Sequence, residues 1–313
     1  MKTSILRLTP NCTQNLPQLW EVSDPPKELY VEGSAEALGL LDLLPQKGLA
    51  IVGTRKPQLR SISWLKGLIS DLSKTDLIIV SGLARGIDTF AHQFALDAGL
   101  PTIAIIGSGL NCLYPRENRH LKERILENNG LVISEVPPSV HARGYFFLKR
   151  NRLIAGWTQA TCIIEAAHRS GALNTARWAR EQNKTCFAVP SFPGDSTLAG
   201  NQTLIDRDHA IPLWGAHSLG AVWLELATGV LLGGQDVKRV IPPLVQKVIE
   251  LTAELGGAHL EDLFNWAILK DWTPGEFYQN LDTCLQQNWL AQSGGLLVPV
   301  TKVRTFPVKT DGC

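Results

Sequence analysis

Between residues 49 and 189 the sequence repeats one arrangement: a short apolar run rich in Ile and Val, a small-residue turn, then a longer amphipathic stretch. The runs are LAIVG (49–53), LIIVSG (77–82), TIAIIGSG (102–109), LVISE (131–135), TCIIE (161–165) and TCFAV (185–189). A strand apolar on both faces has to be covered on both faces, which antiparallel hairpins do not do and crossover helices do. Segments near 57–73, 86–98 and 117–129, and another from 171, carry the helical period and supply such covers. LVISE leads into a loop instead, and a last short strand is expected at 210–213. The pattern predicts an α/β fold with an open, mostly parallel, doubly wound sheet.

The turn after each strand then decides where a ligand could sit. These turns are Gly53-Thr54-Arg55, Ser81 to Asp88 with Gly82 at its start, Gly107-Ser108-Gly109 and Arg169-Ser170-Gly171. In open parallel sheets ligands bind outside the carboxyl ends of the strands, and small residues there let them approach the main chain. The stretch 147–176 adds a basic cluster, Lys149, Arg150 and Arg152, ahead of the turn at 168–171 and the helix carrying Arg177 and Arg180. From 140 to 185 there are eight Arg or Lys against two acids, in a chain whose net charge is +1. Such an excess is a local patch, and helix amino ends with guanidiniums nearby favour an anion. The competing reading is a solvated helix face. No GxxxxGK[ST] is present, and Gly107-x-Gly109 lacks the third glycine of a dinucleotide fingerprint. The four turns taken together point to a phosphate-rich ligand.

Candidates for bond-breaking chemistry are sparse. Asp88 and His92 share a helical face, but no nucleophile accompanies them, so the pair reads as a helix-start carboxylate beside a packed histidine. Glu165 is the best-placed carboxylate for hydrolysis, and its competing role is to pair with nearby arginines. His168 beside Ser170 has no third member for a triad. Trp157 and Trp178 read as core residues. The six cysteines form no CxxC pair, which fits reduced thiols and a cytoplasmic location, and no metal-ligand spacing appears. The first ten residues lack the apolar core of a signal peptide, and no apolar run is long enough to span a bilayer.

The organisation reads as a partly helical, irregular lead-in (1–46), the α/β domain (47–215), a linker (216–241), a small unit (242–303) and a tail (304–313). In the small unit, helices are expected at 244–255, 259–266 and 274–287, followed by a hairpin over 290–299 turning at Ser293-Gly294-Gly295. That is the order of a winged helix. Across 243–300, Lys247 and Lys270 face seven Asp or Glu, so this unit is a poor match for a duplex backbone and a better one for a protein partner.

The strings SGLARGIDTFAH (81–92), TIAIIGSGLNCLYPREN (102–118), SEVPP (134–138), FLKRNRLIAG (147–156), EAAHRSGALNTARWA (165–179) and FAVPS (187–191) closely resemble the DNA-processing protein DprA (Smf) family over about residues 50–212. The resemblance implies an extended Rossmann-like domain that binds single-stranded DNA and loads a RecA-type recombinase during natural transformation. It also implies a homodimer without enzymatic activity or cofactor. By the family's motifs, Arg55 in its turn and Lys149, Arg150 and Asn151 in FLKRN would line the DNA pocket, with Gly53, Gly82, Gly107, Ser108, Gly109, Arg169, Ser170 and Gly171 on the same edge. The chain departs from the pattern at Leu148, where proline is usual, at Gln58 to Ser61, and at Ser191, where glycine is usual. Two other readings use the same edge: a nucleotide-processing hydrolase with Glu165 as its carboxylate, and a nucleotide-ligand sensor.

Overall fold

The six apolar runs form the middle of a nine-stranded sheet in the computed structural model, which describes residues 4–12, 16–191, 194–223, 259–270, 277, 281, 290–293 and 296–299. In chain order the elements are β1 (Ser4–Leu8), β2 (Leu29–Gly33), α1 (Leu40–Lys47), β3 (Gly48–Val52), α2 (Leu59–Asp71), β4 (Ile78–Ser81), α3 (Ile87–Asp97), β5 (Thr102–Ile106), α4 (Arg119–Glu127), β6 (Leu131–Ser134), α5 (Gly144–Trp157), β7 (Ala160–Ile163), α6 (Ala172–Glu181), β8 (Thr185–Ala188), α7 (Ala199–Asp206) and β9 (Ile211–Pro212). Their order across the sheet is β1-β2-β6-β5-β4-β3-β7-β8-β9. All pairings from β6 to β9 are parallel, and β1 and β2 are antiparallel additions at one margin.

Successive side chains of a strand point to opposite faces, and the core divides accordingly. Ala50 and Val52 of β3 join Leu153, Ile154 and Trp157 of α5 and Ala176 and Ala179 of α6 on one face. Leu49 and Ile51 join Leu65 and Ile69 of α2 and Ala91 and Ala95 of α3 on the other. Farther along that second face, Ala104, Ile106 and Val132 pack with Leu121 and Ile125 of α4.

Two stretches differ from expectation. The lead-in is built into the sheet: β2 pairs with β6 (Val31 opposite Ile133), and Trp157 donates its indole N–H to Leu19 O at 3.1 Å. Its prolines and its half-buried pattern hide these strands from periodicity. At the other end the body continues past 215, since Leu219 and Trp223 are buried and Trp223 Nε1 donates to Gln46 O at 2.7 Å.

The chain divides into two compact units, 1–233 and 234–313. In the second, α8 (Leu260–Ile268) buries Leu263 and Ala267, and β10 (Leu290–Ser293) pairs antiparallel with β11 (Leu296–Pro299), Ser293 opposite Leu296. The helices expected at 244–255 and 274–287 lie outside the described residues, apart from Phe277 and Leu281, which are helical and buried.

Candidate nucleic-acid interface

β3 and β7 are neighbours, yet the chain leaves them in opposite directions, through α2 to β4 and through α6 to β8. Where connections diverge in this way the strand ends are left uncovered, and a crevice opens. The crevice here is a cavity of about 560 Å³ lined by Gly53, Thr54 and Arg55 after β3, by Arg169, Ser170 and Gly171 before α6, and by Phe147, Arg150 and Asn151 of α5. Ala84, Asp88 and Thr175 complete its wall among others. The residues expected from sequence that meet in this one place are Gly53, Arg55, Arg150, Asn151, Arg169, Ser170 and Gly171.

The turn after β3 is fixed from both sides. Thr54 N–H donates to Glu165 O at 2.7 Å, and Ile87 N–H donates to Thr54 O at 3.1 Å. This contact brings the turn directly onto Gly86, whose φ is +78°. A Cβ there would overlap Thr54 O and the Arg55 main chain, so glycine is required both by space and by conformation. Gly53 has the same function toward Ile87, whose Cγ1 would lie 2.6 Å from an added Cβ. Arg55 is exposed, and its Cζ stands 5.7 Å from the centroid of the Phe147 ring. No ion pair joins Arg55 or Arg169 to a carboxylate among the described residues.

Arg150 reaches the same cavity from below. It is 6% exposed, and its Nη1 donates to Gly82 O at 2.8 Å and to Ile105 O. It therefore ties α5 to the ends of β4 and β5. Its Nε has no partner among the described residues. Gly82 is glycine because the guanidinium lies on it, where a Cβ would overlap Nη1. The Asp88 carboxylate accepts the Gly82 N–H at 3.1 Å. Burial pushes the Asp88 pKa up, with Arg150 opposing, while burial brings Arg150 down to about 10, with Asp88 opposing and Arg55 adding to the fall. Arg150 is still cationic at neutral pH. Asn151 faces Asn174 at 3.2 Å and Gly171 O at 3.5 Å, joining α5 to the start of α6.

Other predicted residues stand elsewhere. Lys149 lines a separate cavity of about 250 Å³, 3.2 Å from Glu135 and 3.7 Å from Asp24. Arg152, part of the same basic cluster, is fully buried; it donates to Asp24 O at 2.7 Å and to Glu135 at 2.8 Å, so it is a brace and not a wall of the crevice. Gly107 is the seat of Phe147, whose Cδ1 would be 2.8 Å from an added Cβ. Gly109 lies under the Pro137 and Pro138 carbonyls and donates its N–H to Val140 O, and Ser108 is buried. None of these three lines the crevice. Glu165 pairs with no arginine among the described residues: its carboxylate is buried and accepts the Gln58 N–H at 2.9 Å, at the start of α2. His92 is packed as expected, with Nδ1 2.7 Å from Thr102 Oγ1 and its pKa lowered by burial to about 3. Phe147 and Asp88 are among the lining residues that the sequence reading left out of the site. Their signals were an aromatic just ahead of the basic cluster and a carboxylate in the first turn of a helix.

The family model for DNA recombination-mediator protein A matches residues 8–221. The chain belongs to this family. Among its relatives, protein Smf of Escherichia coli (strain K12) is 39% identical over 191 residues, covering 61% of this chain and 50% of that protein. DNA processing protein DprA of Streptococcus pneumoniae is 39% identical over 189 residues, 60% of this chain and 64% of that one. The chain thus spans about half to two thirds of the length of these curated relatives. A solved structure of S. pneumoniae DprA is 34% identical, with a TM-score of 0.63, over 70% of this chain and 74% of that one. One of Helicobacter pylori DprA, described with its single-stranded DNA binding mode, is 28% identical, with a TM-score of 0.60, over 72% and 97%. The recombination-mediator match ends two residues before Trp223, the last buried side chain described in the first unit.

Proposed function

We propose that the crevice between β3 and β7 holds the backbone of single-stranded DNA, and that the protein protects incoming strands and hands them to a RecA-type recombinase in natural transformation. The observation that carries this reading is the convergence of Arg55, Arg150 and Arg169 on one cavity whose lining includes a single acid, Asp88. Main-chain turns at Gly53 and Gly171 let phosphates approach closely, and the guanidiniums neutralise them. The single-stranded DNA binding mode described for H. pylori DprA supports the same ligand class. A cytoplasmic homodimer without catalytic activity fits this work. The second unit, read as an acidic winged helix, serves a protein partner instead of a duplex.

Fluorescence anisotropy with single- and double-stranded oligonucleotides tests the reading. If about four phosphates are neutralised, log affinity falls against log salt with a slope near −3, about fifty-fold between 50 and 200 mM. Arg55→Ala and Arg169→Ala weaken binding to all sequences alike and flatten that slope. Unchanged affinity in both refutes the assignment. In a strand-exchange assay, the recombinase half of the proposal fails if the protein does not speed filament formation on coated single strands.

The hydrolase reading gains no support, since Glu165 is committed to the Gln58 amide and does not line the cavity.

A further inference from the structure

Phe147 is the aromatic wall of the crevice, and the ring contact continues outward from it. Tyr114 packs against Phe147 with centroids 5.6 Å apart and planes tilted by 56°. Arg85 stands over the Tyr114 ring, its Cζ 6.0 Å from the centroid. From the cavity outward the order is therefore Arg55, Phe147, Tyr114, Arg85, with cations at both ends and two rings between. Tyr114 is 42% exposed. The rings are tilted and not stacked, and the exposure of Tyr114 leaves part of its ring open to solvent beside Arg85. Arg85 is held by Glu117 through an ion pair in which both side chains are more than half exposed (55% and 54%). An exposed pair of this kind contributes little and yields readily to a better anion.

We propose that Tyr114 and Arg85 form a base-stacking station for a nucleotide next to the one held in the crevice, an inference that rests on the single-stranded DNA reading above. An unpaired base takes the face of Tyr114, and its phosphate takes Arg85 from Glu117. Every base has a π face, so the station is indifferent to sequence. A duplex keeps its base faces inside the stack, so the station discriminates single strands from double ones, which phosphate contacts alone do not do. Glu117 acts as a stand-in anion that keeps Arg85 in position while the strand is absent.

The test uses the full chain and two fluorescent probes of equal length: oligothymidine, and an oligomer of abasic tetrahydrofuran sites with the same phosphates and no bases. The wild type is expected to bind the thymidine probe more tightly. Tyr114→Ala should lower affinity for that probe about 5- to 100-fold, the worth of one base–aromatic stack, leave the abasic probe unchanged and leave the salt slope unchanged. Tyr114→Phe should behave as wild type. Glu117→Gln, at an exposed side chain, should tighten both probes by loosening the hold on Arg85. The station is overturned if Tyr114→Ala, with its melting temperature intact, affects both probes equally or neither. If Arg55→Ala weakens both probes while Tyr114→Ala weakens neither, the station alone fails. If the wild type binds neither probe, the DNA reading itself fails.

Discussion

His92 has a defined tautomer. The Thr102 hydroxyl donates to Ile79 O at 2.8 Å, so it must accept from His92, which places the imidazole proton on Nδ1 and leaves Nε2 bare and buried. A second proton would have to enter a buried site near the Arg150 cation, which is why the pKa falls to about 3. The unfolded chain takes that proton near 6.5. Between about pH 6.5 and 3 the unfolded state therefore binds more protons, and stability falls as pH falls through this window. Asp88 acts with the opposite sign, because its raised pKa lets the native state take a proton first. Urea denaturation of wild type and His92→Gln at pH 7, 6 and 5 separates the two: the variant is expected to show the flatter acid limb. Arg150 calls for a similar distinction. Arg150→Ala removes the guanidinium donor to the Gly82 and Ile105 carbonyls and the larger of the two cationic influences on Asp88, so it is expected to cost about 3 kcal/mol of stability along with any loss of binding. Arg55→Ala leaves no buried group unpaired, and its thermal midpoint should match wild type. That makes Arg55 the cleaner probe of the ligand.

At the scale of elements, the crevice depends on two turns meeting without side chains between them. Gly86→Ala would force a Cβ onto Thr54 O at a φ of +78°. It is expected to cost about 1–3 kcal/mol in urea denaturation and to weaken DNA binding by displacing Arg55. The central strands were legible because parallel strands buried on both faces leave continuous apolar runs, and β3 to β8 fall within about two residues of those runs. α5 was not legible as a helix. Its buried side includes Arg150, Asn151 and Arg152, so the apolar period that marks a helix is broken by residues the fold needs there. The same burial divides the basic cluster, whose charge density alone does not tell a buried brace from an exposed wall. Arg152 and Lys149 face Asp24, more than a hundred residues away, and Glu135, just after the preceding strand and beyond the reach of a helical i,i+4 pairing. Gly82 and Gly107 read from sequence as positions where a ligand approaches the main chain; in the structure the groups against them are Arg150 and Phe147.

At the scale of the whole molecule, the first unit contains every residue of the crevice, and the sheet, both helical layers and the lead-in strands all lie within it. A chain ending at Gly233 is therefore expected to fold, with a cooperative thermal transition by circular dichroism, and to bind single strands with the slope of the full chain. A lost slope would mean that the second unit contributes phosphate contacts despite its acidic composition. Among the described residues no helix is long and apolar enough to cross a membrane, and no group of side chains could hold a metal ion.

Arg55, Arg150 and Arg169 line one cavity with Asp88 as its single acid. A bound polyanion adds countercharge to three guanidiniums, so the melting temperature should climb on adding oligonucleotide, and that gain should shrink as salt rises. Nucleic acid carried through purification would then look like intrinsic robustness.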